Sequence, residues 1–139
     1  MRKDRDPGRG GAEMTAHRTT PLRVLVMEDE PLILMELCFA LEDHGADPVS
    51  ANTVAKALSA LEDSAPDAAI LDVNLGRGTT CEPVAKALRA RGIPFLIHSG
   101  DLVRQGELIS RIDAEVIPKP ADSADVVERA LMLADRAPG

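Results

Sequence analysis

The chain has no tryptophan and no tyrosine, and only two phenylalanines among 139 residues. It therefore offers few aromatic platforms on which bases or sugar rings could stack. Its two cysteines, Cys38 and Cys81, are too few for a disulfide framework and lack the spacing of a metal-ligand pair. Both read as reduced, small apolar residues of a cytosolic protein. No apolar run approaches the roughly 18 residues that a membrane span needs. The charged N-terminus is not followed by the apolar stretch of a secretory signal. Basic charge is scarce as well: 16 Lys and Arg stand against 23 Asp and Glu, a net charge of −7. Five of the basic groups (Arg2, Lys3, Arg5, Arg9, Arg18) fall in residues 1–20 beside three acidic ones (Asp4, Asp6, Glu13), which leaves −9 on the other 119 residues. A body this acidic is a poor candidate for binding nucleic acid, which depends on neutralising phosphates.

What is present is an ordinary globular composition, 45% hydrophobic and 28% charged, in a chain the size of one domain. Residues 1–20 contain Pro7, Gly8, Gly10 and Gly11 and no apolar periodicity, and read as a disordered, solvated tail. Residues 21–139 read as a single domain. From Pro21 the chain alternates between short apolar runs and amphipathic stretches. Leu22 to Met27, Asp67 to Asp72 and Phe95 to His98 read as buried strands, with weaker strands at Asp47 to Ala51 and Glu115 to Ile117. Helices are expected over Pro31 to His44, from a Thr53 cap to about Asp63, from Thr79 or Thr80 to about Arg91, over Asp101 to Ile112 with Gly106 weakening it, and over Ser123 to Ala134 with Ser123 as cap. Pro83 falls in a first helical turn, where a missing N–H is tolerated. Five successive βα units imply an α/β fold: a doubly wound, five-stranded parallel sheet with helices on both faces.

Function in such sheets collects beyond the carboxyl ends of the strands. Glu28 and Asp29 end the first strand, Asp72 the third and Ser99-Gly100 the fourth, and Lys119-Pro120 follows the fifth. If these strands lie side by side, three carboxylates, a hydroxyl and an ammonium converge. That set suits a small hard cation with a phosphoryl acceptor beside it. Without a cation, two carboxylates about 4 Å apart repel by roughly 4 kcal/mol at an effective dielectric near 20.

Four fragments carry a resemblance: Val24-Leu25-Val26-Met27-Glu28-Asp29-Glu30, Ile70-Leu71-Asp72-Val73-Asn74-Leu75, Pro94-Phe95-Leu96-Ile97-His98-Ser99-Gly100 and Ile117-Pro118-Lys119-Pro120. In this order, each at a strand end, they resemble the receiver domains of two-component response regulators, over about Pro21 to Ala134. The resemblance implies a flavodoxin-like strand order, 2-1-3-4-5. It implies that Asp72 is the phosphoacceptor nucleophile and that Asp29 ligates Mg²⁺ (or Mn²⁺) directly, with Glu28 acting through water and the backbone carbonyl of Asn74 completing the ligands. Ser99 would hydrogen-bond a phosphoryl oxygen and Lys119 would pair with its charge. The partners implied are a sensor histidine kinase or histidine phosphotransfer protein and a downstream protein, in the cytoplasm. The protein would be no enzyme beyond catalysing its own phosphoryl transfer and dephosphorylation. With only 20 residues after Lys119, the expectation is a stand-alone receiver. Receivers commonly have a cis peptide after that lysine.

Three positions depart from the family pattern. Gly76 stands where a proline is usual, so the loop Leu75-Gly76-Arg77-Gly78 is expected to be more flexible. Val116 stands where an aromatic is usual. The fourth strand matches only in part a subgroup of stand-alone receivers found in alpha-proteobacteria. Plainer readings run beside the specific ones. Asp29 and Asp72 also suit helix-cap or loop carboxylates, and Lys119 alone suits a solvated surface lysine. His98 suits a packed or hydrogen-bonded side chain as well as a second phosphoacceptor or base. Cys81, near a helix N-terminus, is a candidate for a lowered pKa. Pro31 to Leu41 is apolar on more than one face, which ordinarily means burial, although the first helix of receivers is also where kinases dock. Two rival functions are a pseudo-receiver acting as a phosphorylation-independent binding module and a metal-dependent phosphoryl enzyme. The latter type uses an Asp-x-Asp pair, and Asp72-Val73-Asn74 lacks the second carboxylate.

Overall fold

A computed structural model describes residues 20–100 and 102–136. The tail expected over residues 1–20 therefore lies almost wholly outside the described residues. Five strands form one parallel sheet: β1 (Arg23–Met27), β2 (Asp47–Ala51), β3 (Ala68–Leu71), β4 (Phe95–Ser99) and β5 (Glu115–Pro118). Their order is β2-β1-β3-β4-β5, the expected 2-1-3-4-5. The helices between them are α1 (Pro31–Asp43), α2 (Val54–Asp63), α3 (Glu82–Ala90), α4 (Gly106–Ile112) and α5 (Ser123–Arg136). No helix among the described residues is long and apolar enough to cross a membrane.

The period-2 alternation of each strand divides the core into two layers. Leu25, Met27, Ala69, Leu71 and Ile97 face α2, α3 and α4, where Ala57, Leu61, Val84, Leu88, Leu108 and Ile112 meet them. Val24, Val26, Ile70 and Leu96 face α1 and α5, against Leu37, Leu41, Val126, Val127 and Ala130. Burying each of the larger aliphatic side chains is worth about 1.5–3 kcal/mol. β1 and β3 are central and almost wholly buried, which is why they read from sequence as continuous apolar runs. In register, Val26 pairs with Ser50 on one side and Ile70 on the other, which brings the carboxyl ends of β1 and β3 level.

Several expected boundaries move. The third helix begins at Glu82 rather than at Thr79 or Thr80, because Thr80 bridges antiparallel to Asn74 and its hydroxyl accepts from the Glu82 N–H at 3.4 Å. Pro83 is in the first turn as expected. The fourth helix begins at Gly106, after a turn over 102–105, and is seven residues long. A helix-interior glycine costs about 1 kcal/mol relative to alanine, and starting the helix at Gly106 avoids that cost. Asp101, its expected start, lies outside the described residues. The last helix is capped by Asp122 instead of Ser123: the Asp122 carboxylate accepts from the Ala124 N–H at 3.0 Å. Thr53 caps α2 as expected, accepting from the Lys56 N–H at 3.1 Å.

Candidate functional site

The sheet carries Glu28 and Asp29 just beyond β1, Asp72 just beyond β3, Ser99 at the last position of β4 and Lys119 just beyond β5. Backbone hydrogen bonds fix these junctions. The Asp72 N–H donates to Met27 O at 2.9 Å, the Glu28 N–H to Ala51 O at 3.0 Å and the Lys119 N–H to Ser99 O at 2.9 Å. All five residues of the expected cluster thus sit at one end of the sheet. Carboxylate oxygens of Glu28, Asp29 and Asp72 lie within 4.8 Å of one another. Glu28, Asp72 and Ser99 are buried, and Asp29 is exposed at the mouth.

The Lys119 ammonium reaches into this cluster. Its Nζ is 2.9 Å from Glu28 Oε1 and donates a hydrogen bond to Asp72 Oδ2 at 3.3 Å. The other Glu28 oxygen accepts from the Glu30 N–H at 3.1 Å, so Glu28 is held at both ends. Burial pushes the Asp72 carboxyl up to about 7, with the Glu28 charge adding to the rise and Lys119 opposing it. Burial acts to lower the Lys119 ammonium, but the hydrogen bond to Glu28 and the charge of Asp72 more than offset it, so its pKa is raised overall. Lys119 is therefore not a solvated surface lysine, and Asp72 is no helix cap.

The remaining site is shaped by close backbone approach. A Cβ on Gly100 would meet Lys119 Cβ at 3.5 Å, and one on Gly76 would meet Asp29 Oδ2 at 3.6 Å. Gly76, Arg77 and Gly78 all have positive φ, of 80°, 54° and 75°. The Asn74 side-chain oxygen accepts from the Gly76 N–H at 3.0 Å, and Leu75 N–H donates to Thr79 O at 3.0 Å. Here the glycines serve a specific left-handed turn that is closed by hydrogen bonds. The peptide between Lys119 and Pro120 is cis.

The donor set fits Mg²⁺: three carboxylates on one small volume, one of them exposed, are hard oxygen ligands of the type that cation takes. Cys81 does not have a lowered pKa. It is fully buried next to Asp72, and burial first, then that carboxylate, push its thiol up to about 12. His98 is packed, with 4% of its surface exposed, and neither ring nitrogen has a hydrogen-bond partner among the described residues. Burial, with Lys119 nearby, lowers its pKa to about 4, so the ring is neutral. From sequence His98 suits a packed or hydrogen-bonded side chain as well as a second phosphoacceptor or base; that both nitrogens are orphaned depends on its neighbours in space. On α1, Leu32, Met35 and Phe39 are exposed, so the apolar character of that helix is only partly explained by burial.

No family model matches the chain. The phosphate regulon transcriptional regulatory protein PhoB of Escherichia coli (strain K12) is 31% identical over 116 residues, which cover 77% of this chain and 49% of that protein. The chain thus spans about half the length of the curated relatives it matches. The solution structure of SdrG from Sphingomonas melonis Fr1 is 42% identical, covers 84% of this chain and 98% of its own, and superposes with a TM-score of 0.69. The crystal structure of a CheY-like response regulator receiver domain protein from Methanospirillum hungatei JF-1 has the same fold, with a TM-score of 0.73 at 24% identity, over 84% of this chain and 95% of that one.

Proposed function

Because the chain belongs to the receiver-domain family of two-component response regulators, which are signalling phosphoacceptors and not enzymes in the ordinary sense, we propose that Asp72 is its phosphoacceptor. One observation carries the reading: the Lys119 ammonium lies 2.9 Å from Glu28 and 3.3 Å from Asp72, inside a three-carboxylate cluster. A binding surface alone does not require a half-buried lysine paired with two buried acids, and this counts against a phosphorylation-independent module.

In this mechanism an ionised Asp72 oxygen attacks the phosphorus of a phosphohistidine. The new P–O bond makes an acyl phosphate, the P–N bond breaks, and its electron pair goes to the imidazole nitrogen, which takes up a proton. Lys119 favours the ionised nucleophile beforehand and pairs with the phosphoryl charge afterwards. The Ser99 hydroxyl donates to a phosphoryl oxygen. Asp29 and Asp72, the backbone carbonyl of Asn74, and Glu28 through water would hold Mg²⁺ or Mn²⁺. The bound cation supplies neutralisation of charge on the transferring group. Hydrolysis of the acyl phosphate by water resets the site.

The donor in this reading is a cytoplasmic histidine kinase or histidine phosphotransfer protein, and the exposed Leu32, Met35 and Phe39 of α1 suit its docking. The signal leaves by protein–protein contact or by relay of the phosphoryl group, with residues 21–139 acting as one receiver unit. Incubation with acetyl phosphate and Mg²⁺, followed by intact mass, tests this. Wild type gains one phosphoryl group, Asp72→Asn gains none, and Asp29→Asn requires more Mg²⁺. Equal labelling of wild type and Asp72→Asn contradicts the assignment.

A further inference from the structure

Behind the carboxylate cluster, on the α1 and α5 side of the sheet, lies a cavity of about 180 Å³. Ile33, Leu37, Pro120 and Ala121 give it apolar walls, and the side chains of His98 and Ser123 are its neutral polar groups. We propose that this cavity is a second binding site, for a small uncharged molecule with an aromatic or similarly flat apolar body and one hydroxyl group, a phenol being the simplest example.

Four observations lead there. The volume is that of a cavity able to hold a benzene-sized molecule. His98 lines it, is buried, and has two ring nitrogens with no hydrogen-bond partner among the described residues. Buried polar groups of native proteins nearly always have a partner, and an orphaned one costs stability, so a histidine kept in this state is a group awaiting one. The second torsion of a histidine is soft, so a small rotation turns a nitrogen to an entering hydroxyl. Third, the two charged lining residues, Glu36 and Lys119, are of opposite sign, so the lining carries no net charge that would favour an ion. Fourth, the chain has no tyrosine of its own to supply a phenol.

The same Lys119 whose ammonium is held by Glu28 and Asp72 forms part of this cavity's wall. An occupant is therefore in contact with a residue of the carboxylate cluster without entering the cluster itself. A phenolic group has two sources, a free small molecule or a tyrosine side chain of a docked protein, and the cavity chemistry is the same for both.

The test is a solution titration of the full chain with phenol, followed by ¹H–¹⁵N NMR, with benzene and the capped amino acid N-acetyl-tyrosine amide as parallel probes. Saturable shifts are expected at Ile33, Leu37, His98, Lys119 and Ser123. Phenol should bind about tenfold more tightly than benzene, the worth of one hydrogen bond to an otherwise orphaned group. His98→Phe keeps the ring and removes the nitrogens, so it should abolish that preference while benzene still binds. Binding of phenol but not of the capped tyrosine assigns a free small molecule. Binding of both admits a partner side chain. No saturable shifts, equal affinity for phenol and benzene in wild type, or shifts centred elsewhere would overturn the proposal. The comparison in wild type decides the matter even if His98→Phe does not fold.

Discussion

Burial acts on Asp72 and His98 with opposite signs. Asp72 titrates near 7 in the folded protein against 3.8 ordinarily, so the folded state holds its proton where the unfolded chain has lost it. Its contribution to stability is largest below about pH 4, falls as the pH rises towards 7, and stays low above that. Replacing Asp72 by Asn removes this penalty. Asp72→Asn should stabilise the metal-free protein at pH 8 by roughly 2 kcal/mol after allowance for screening, a few degrees in Tm, and much less at pH 5. Adding Mg²⁺ should narrow the gap, because only wild type has the full ligand set. Thermal melts at the two pH values measure this; an Asn variant less stable than wild type at pH 8 contradicts it. His98 behaves the other way. Its folded pKa of about 4 lies below the ordinary 6.5, so the unfolded chain is protonated first as the pH falls. Its contribution to stability is constant above about pH 7 and is lost as the pH falls from 6.5 to 4. His98→Leu should be less sensitive to acid over that window by roughly 2 kcal/mol, as read from urea melts at pH 7 and pH 4.5. An unchanged acid sensitivity would place the loss elsewhere.

At the scale of elements, the turn after β3 and the segment before α4 carry the departures from the usual receiver pattern. The loop holds three successive residues at positive φ, Gly76, Arg77 and Gly78, directly over Asp29. Val116, half-buried and paired in register with Ile97, is too short and stiff at its first torsion to swing as an aromatic side chain at that position could. In the proposed function a change at Asp72 therefore leaves through the loop and the short α4. Hydrogen exchange with and without beryllofluoride and Mg²⁺ should show altered protection concentrated at residues 74–80 and 102–112. Changes confined to residues 115–118 would contradict this route. These same segments were the least legible in the sequence. Thr79 and Thr80 look like helix caps until the bridge to Asn74 is known, and Gly106 looks like an interior flaw until α4 is seen to begin there. Both outcomes depend on hydrogen bonds and lengths that local propensity does not encode.

For the whole molecule, the sheet was readable because β1, β3 and β4 are buried on both faces and leave unbroken apolar runs bounded by polar strand ends. The site was readable because a parallel α/β sheet brings strand ends together, so Glu28, Asp29, Asp72, Ser99 and Lys119 needed only the strand order to become neighbours. The contact of Lys119 with Glu28, the orphaned nitrogens of His98 and the cavity beside them were not readable, since each arises from packing between segments distant in sequence. In the proposed function Asp72, and neither Ser99 nor His98, is the residue that takes the phosphoryl group. The most direct measurement is peptide mapping of protein labelled with acetyl phosphate and Mg²⁺, combined with hydroxylamine sensitivity. A single hydroxylamine-labile phosphate is expected on the peptide containing Asp72. A hydroxylamine-stable phosphate, or one mapped to the peptide containing His98 and Ser99, would contradict it.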